Sequence, residues 1–151
     1  MVAGDARTVL ASGEELVSLA GGEGELELIY VKNATGSTIA RGKPVMIGAA
    51  AAPYSITQGA ATAVAEPTTA ILGITLFAIP TAKAAWVVKR GIVKALGGGT
   101  VSSAGTALMV DSSGEFITAV DGGSAITGDS SKVVCLEAMS DGVLAKVFIN
   151  A

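Results

Sequence analysis

The chain has 151 residues, half of them hydrophobic but only 4% aromatic, with 20 glycines, one cysteine, no histidine and a formal charge of −3. Its length suits a domain that buries about two-thirds of its unfolded surface, and its acidic balance excludes a general binder of phosphate backbones, which needs a basic stripe. The missing histidine removes the commonest general base and transition-metal ligand, which excludes Ser-His-Asp and Cys-His catalysis within one chain.

Residues 1–24 combine scattered glycines with little patterned hydrophobicity and end in Gly21-Gly22-Glu23-Gly24. They are expected to form an N-terminal arm ahead of a single β domain over residues 25–151. Ser12 and Glu15 have capping-box spacing, so one or two helical turns through Leu19 are expected, marginal if isolated. Two alternatives stand for the segment: an arm that orders against a neighbouring chain, and a tail without order of its own. No basic region precedes an apolar run, so no secretory signal is expected, and the formal glycosylation acceptor Asn33-Ala34-Thr35 carries no weight.

From Glu25 the pattern turns to β, with Leu26, Leu28 and Tyr30 alternating along a half-buried strand. Asn33-Ala34-Thr35-Gly36-Ser37 supplies turn chemistry, and Arg41-Gly42-Lys43-Pro44 leads into Val45-Met46-Ile47. A short strand is expected at Tyr54–Thr57, after an alanine run that Gly48 and Pro53 bracket too tightly for a helix.

Ile71–Leu96 reads as one long hairpin, with Pro80 ending its first strand. In the second strand a bulge at Arg90-Gly91 would turn Trp86, Val88, Val93 and Ala95 inward and Val87, Lys89, Ile92 and Lys94 outward. Gly97-Gly98-Gly99 then reads as a loose link. Ala107–Val110 and Glu115–Ala119 form a hairpin about Asp111-Ser112-Ser113-Gly114. A last hairpin joins Val133–Ala138 to Val143–Asn150 around Asp141-Gly142, with Val143, Ala145, Val147 and Ile149 on one face. Cys135 reads as a small core residue.

An echo near sixty residues runs through these elements. Gly42–Met46 corresponds to Gly105–Met109, Ser55–Thr57 to Phe116–Thr118, Leu72-Gly73 to Val134-Cys135, and the strand at Val87 to that at Val147. The expected fold is therefore all-β, a small barrel or sandwich of short antiparallel strands built from two pseudo-repeated units that protect each other's sheet edges.

Reactive groups are scarce. Cys135 has no second cysteine for zinc, no carboxylates have calcium-loop spacing, and the Gly97–Thr100 run lacks the lysine of a phosphate-binding loop. Asp111 reads as a turn residue, and Glu66, Asp121, Asp129 and Asp141 fall in expected loops. The cluster Lys83, Lys89, Arg90, Lys94 reads as a solubilising surface. The expected sets of catalytic, cofactor-binding and metal-binding residues are empty. A surface that grips neighbours is favoured over an enzyme.

In their order and spacing, Val31–Gly36, Gly42–Val45, Ile71–Ile74, Val87–Val93, Gly105–Asp111 and Leu136–Ala138 with Ala145–Ile149 resemble the capsid decoration, or cement, proteins of tailed bacteriophages. The resemblance implies a β-barrel or β-sandwich domain, made in the host cytoplasm, that sits on the outer capsid surface of the virion as a homotrimer. Its implied partner is the major capsid protein, with no role for nucleic acid or membrane. Between Pro80 and Trp86 the chain departs from that pattern by carrying Lys83. Two other readings are a receptor- or glycan-binding fibre module, for which Trp86 and Tyr54 are the stacking candidates, and an enzyme with a site shared across a trimer, which would need Arg41, Arg90 and Asp111 to cluster.

Overall fold

The computed structural model describes residues 25–47, 55–58, 71–111, 113–121, 124–125 and 132–151. The expected arm and its capping box, Tyr54, the alanine run at 49–52, Glu66 and Asp129 lie outside the described residues. Eleven strands follow one another, and no helix occurs among the described residues: β1 (Glu27–Asn33), β2 (Pro44–Ile47), β3 (Ser55–Gln58), β4 (Ile71–Thr75), β5 (Ala84–Leu96), β6 (Leu108–Val110), β7 (Phe116–Thr118), β8 (Val120–Asp121), β9 (Ser124–Ala125), β10 (Val133–Cys135) and β11 (Leu144–Asn150).

The pairings close into two rings that share β5. In the first, β1, β3, β2, β4 and β5 pair in that order and β5 returns to pair with β1. In the second, the distal half of β5 pairs with β11 and β11 with β10; Val134 of β10 bridges Ala107 just before β6, β6 pairs with β7, and Phe116 of β7 bridges Gly97 at the end of β5. The pairs are antiparallel except β1–β3 and the Gly97–Phe116 bridge, which are parallel and occupy equivalent places. Closing a sheet on itself leaves few unpaired edges.

The expected duplication is present down to individual hydrogen bonds. Ile39 and Ile79 exchange backbone bonds, as do Val101 and Met139; Thr75 exchanges them with Gly42 and Lys43, as Cys135 does with Gly105 and Thr106. The side chains repeat as well: Thr75 Oγ1 donates to Ala40 O at 2.7 Å and Cys135 Sγ to Ser103 O at 3.0 Å. Cys135 is the fully buried small residue that its neighbours imply.

Each ring has its own filling. Val31, Ile39, Val45, Ile79, Ala85 and Val87 pack inside the first. Their equivalents Ala95, Val101, Leu108, Met139, Ala145 and Val147 belong to a larger cluster that also takes in Ile74, Leu76, Phe77 and Val88 from the outside of the first ring. The outer wall of one unit is thus buried in the core of the next. Such sharing lets two small units with few aromatics bury enough apolar area to hold together.

This arrangement corrects the hairpin expectation. β4 pairs with β5 only at Ile74–Val88 and Thr75–Val87, because β4 ends at Thr75 and the distal half of β5 belongs to β11. Val87 points into the first core rather than to water, since β5 is covered on both faces there. The phase inversion does occur: Val88, Val93 and Ala95 share one cluster. It lies one residue earlier than expected, with Leu28 opposite Val88 and Glu27 opposite Arg90, so that Lys89 is the extra residue. In β1 the more deeply buried face is that of Val31 and Asn33, and Tyr30 is 42% exposed. Gly97-Gly98-Gly99 is not a loose link, since the Gly97 N–H donates to Val143 O at 3.0 Å and the Gly98 N–H to Phe116 O at 2.9 Å, and Val101 beyond it is buried and bridged to Met139. Val143 is exposed because it belongs to the turn before β11.

Asn33, read from sequence as a turn residue, is fully buried. Its amide donates to Ile79 O (2.7 Å) and Ser37 O (2.9 Å) and accepts from the Thr35 N–H (2.8 Å) and hydroxyl (2.6 Å), which satisfies the whole side chain. The Pro80–Lys83 turn beside it holds Ala82 at φ 62°, where the second unit has Gly142 at φ 70°. An alanine in the left-handed region carries about 1 kcal/mol of strain that glycine avoids. Ala82→Gly should therefore raise stability in urea unfolding by roughly 0.5 kcal/mol after the entropy of the freer unfolded chain is subtracted; a loss of stability would contradict the pairing of the two turns.

Candidate docking surface

Among the described residues, several polar groups named from the sequence serve the fold. Asp111 Oδ1 accepts the N–H groups of Ser113 (2.8 Å) and Glu115 (3.0 Å) and so shapes the β6–β7 turn. Arg41 lies in the turn before β2 and Arg90 in the middle of β5, so the three residues of the shared-enzyme reading stand on three separate elements. Among the described residues no three His, Cys, Asp or Glu side chains gather in a way that could hold a metal ion.

The basic cluster divides. Lys83 is exposed in its turn, and Lys89 Nζ pairs with Glu27 at 3.3 Å on the surface. Arg90 and Lys94 take part in a different feature, the outer face of the second ring. There β5 and β11 place Ile92 opposite Phe148, Lys94 opposite Lys146, Leu96 opposite Leu144 and Arg90 opposite Asn150. Val134, paired with Phe148, extends the face onto β10, and Leu136 lies just past that strand. Lys94 and Lys146 stand directly opposite each other on this face, and Glu137 Oε1 accepts the Lys146 N–H at 2.8 Å.

Comparison of the two units shows what is unusual about this face. Ile74, Leu76 and Val88 on the outside of the first ring are fully buried, whereas the residues sixty positions on, Val134, Leu136 and Phe148, are half-buried or exposed; Leu136 is 39% and Phe148 38% accessible. The first unit has Tyr30 opposite Trp86 where the second has Lys94 opposite Lys146. Their rings meet at 5.1 Å between centroids, tilted by 58°. Trp86 leans on the main cluster with Nε1 buried, so the stacking candidate named from sequence is a packing residue, and Tyr30 is the ring that faces water.

At the corner of the lysine-bearing face, Glu25, Leu26, Glu27, Arg90, Gly91 and Phe148 line a groove of about 400 Å³. This is where the described chain begins. Sequence reasoning named Arg90 and Lys94 but missed the face, because Lys146, Leu144 and Phe148 stand about fifty residues or more away on β11. The sixty-residue echo was the signal that pairs the two halves.

No family model matches this sequence, and no curated protein does. Among solved structures, the chain is similar to the N-terminal base of the head fiber protein gp8.5 of bacteriophage phi29, with a TM-score of 0.57 at 12% identity over 83% of this chain and 94% of that one. The two share a fold.

Proposed function

We propose that this protein is a structural component of a tailed-bacteriophage virion, a decoration protein that binds the outer capsid surface and joins neighbouring copies of the major capsid protein. The observation that carries the reading is the likeness of 83% of the chain to the base of a phage head fiber. The order of short β motifs in the sequence, which resembles the cement proteins, supports it from a separate direction, and so does an outer face that pairs apolar side chains with Arg90, Lys94 and Lys146. In this reading the protein works by contact and not by turnover, and it acts as a homotrimer. Three weak contacts at a threefold junction reinforce one another, because after the first the others form at high effective concentration.

The test is sedimentation of the purified chain with undecorated capsids. Co-sedimentation at a fixed ratio to the coat protein, with light scattering that reports a trimer in solution, is the expected result. Chain left in the supernatant at micromolar concentration would overturn it. A second reading, a fibre module that binds a receptor or glycan, is favoured by the fiber origin of the similar structure and by the exposed Tyr30 ring; retention on a glycan array without capsid binding would select it.

A further inference from the structure

The duplication marks one face as uncovered. Ile74, Leu76 and Val88 on the outside of the first unit lie in the core of the second, whereas their counterparts Val134, Leu136 and Phe148 are half-buried or exposed. Apolar side chains hold both ends of this face, Ile92 opposite Phe148 at one and Leu96 opposite Leu144 at the other. At the Phe148 corner the surface drops into the groove of about 400 Å³ lined by Leu26, Arg90 and Gly91, a recess of the kind that an anchoring side chain fills.

Size and charge decide what the face can bind. The seven paired positions of β5 and β11, at about 3.3 Å each and about 4.8 Å between strands, make with the short β10 a patch of about 300 Å². A stable contact between two proteins takes about 800 Å² from each partner, so this patch does not by itself hold a dimer together. A second copy laid face to face would also bring the Lys94 amines of both chains into one patch, and like charges brought together oppose that contact. Both points favour a weak contact made several times over, which a shell of identical subunits offers to an oligomer.

We infer that the outer face of the second unit is the surface that docks on the capsid, with Leu136 and Phe148 against coat protein and an apolar side chain of the coat seated in the groove beside Phe148. The inference rests on the capsid-binding reading and adds to it the side of the molecule that meets the shell.

Sedimentation with undecorated capsids tests it, comparing the full-length natural chain with Phe148→Asp, Leu136→Asp and, as a control in an exposed turn of the first unit, Lys83→Glu. Each face variant should bind about tenfold more weakly or worse, the loss of one anchoring side chain, and the control should bind like the natural chain. A second readout spares the fold. The thiol of Leu136→Cys is open to a maleimide in solution, with Cys135 beside it fully buried; on capsids its reaction should slow by a similar factor, while that of Lys83→Cys keeps its rate. Natural chain that stays in the supernatant overturns the capsid reading and this inference together. Face variants that bind as tightly as the natural chain, or a Leu136→Cys thiol as reactive on capsids as off them, overturn the inference alone. Face variants that fall from trimer to monomer in light scattering show that a second copy covers the face, and overturn it as well.

Discussion

Gly91→Ala should lower stability by roughly 3 kcal/mol or more, through two independent costs at one position. Gly91 sits at φ 122°, a conformation that L side chains rarely adopt, and a Cβ built there would meet the backbone oxygen of Glu25 at 2.4 Å. Neither cost can be relieved locally. The obstructing atom is backbone, and moving β5 away would unpair it from β11, whose Ile149 stands directly opposite Gly91. Since β5 closes the first ring and opens the second, the loss should appear as a single cooperative urea transition shifted to lower concentration for both units. Gly36→Ala is the control, because nothing lies within 4 Å of a Cβ at that turn, and its effect should stay within about 0.5 kcal/mol. Equal midpoints for the two variants would mean that the chain does not need the close approach at Gly91.

How far the sequence foretold this fold follows from the reach of each signal. The glycine between the pairs Val87-Val88 and Ile92-Val93 announced an irregularity in β5, and the inverted phase of Val93 and Ala95 relative to Val88 is that irregularity. The side to which Val87 points was not legible. Alternation assumes one core and one solvent face, and β5 runs between two cores. The duplication was readable because turns constrain residue type: the left-handed positions Gly42 and Gly105 fall at equivalent places and punctuate both halves. The closing of each half into a ring was not, because the parallel contacts of β1 with β3 and of Gly97 with Phe116 join segments with no local marker. For the candidate surface, Arg90 and Lys94 stood out as charge. Their meaning depended on Lys146 and Phe148, which only the register of β11 brings opposite.

The contact hardest to foresee is also one of the largest in expected effect. Lys43, in a turn where lysine usually reaches into water, is 8% exposed, and its Nζ donates to Ser113 O and to Glu115 Oε1, each at 3.0 Å. Donor and acceptors belong to different units. The residue equivalent to Lys43 in the second unit is Thr106, so the pair is not part of the repeat; it fastens one ring to the other. Lys43→Ala removes the cation and leaves the Glu115 carboxylate, whose side chain is 23% exposed, without its ion-pair partner, at a cost of about 2–4 kcal/mol. Lys43→Met with Glu115→Leu should recover most of that loss, because replacing both partners with apolar groups removes the stranded charge. The double-mutant cycle of Lys43→Met and Glu115→Leu in urea should therefore give a coupling of about 1–3 kcal/mol that persists at high salt. Lys89 and Glu27 provide the contrast within the same protein: their side chains are 38% and 53% exposed, and Lys89→Ala should change stability by less than about 0.5 kcal/mol. If Lys43→Ala were as mild as Lys89→Ala, the two units would be held by their shared strand and apolar cluster alone, and the ion pair would add nothing to their docking.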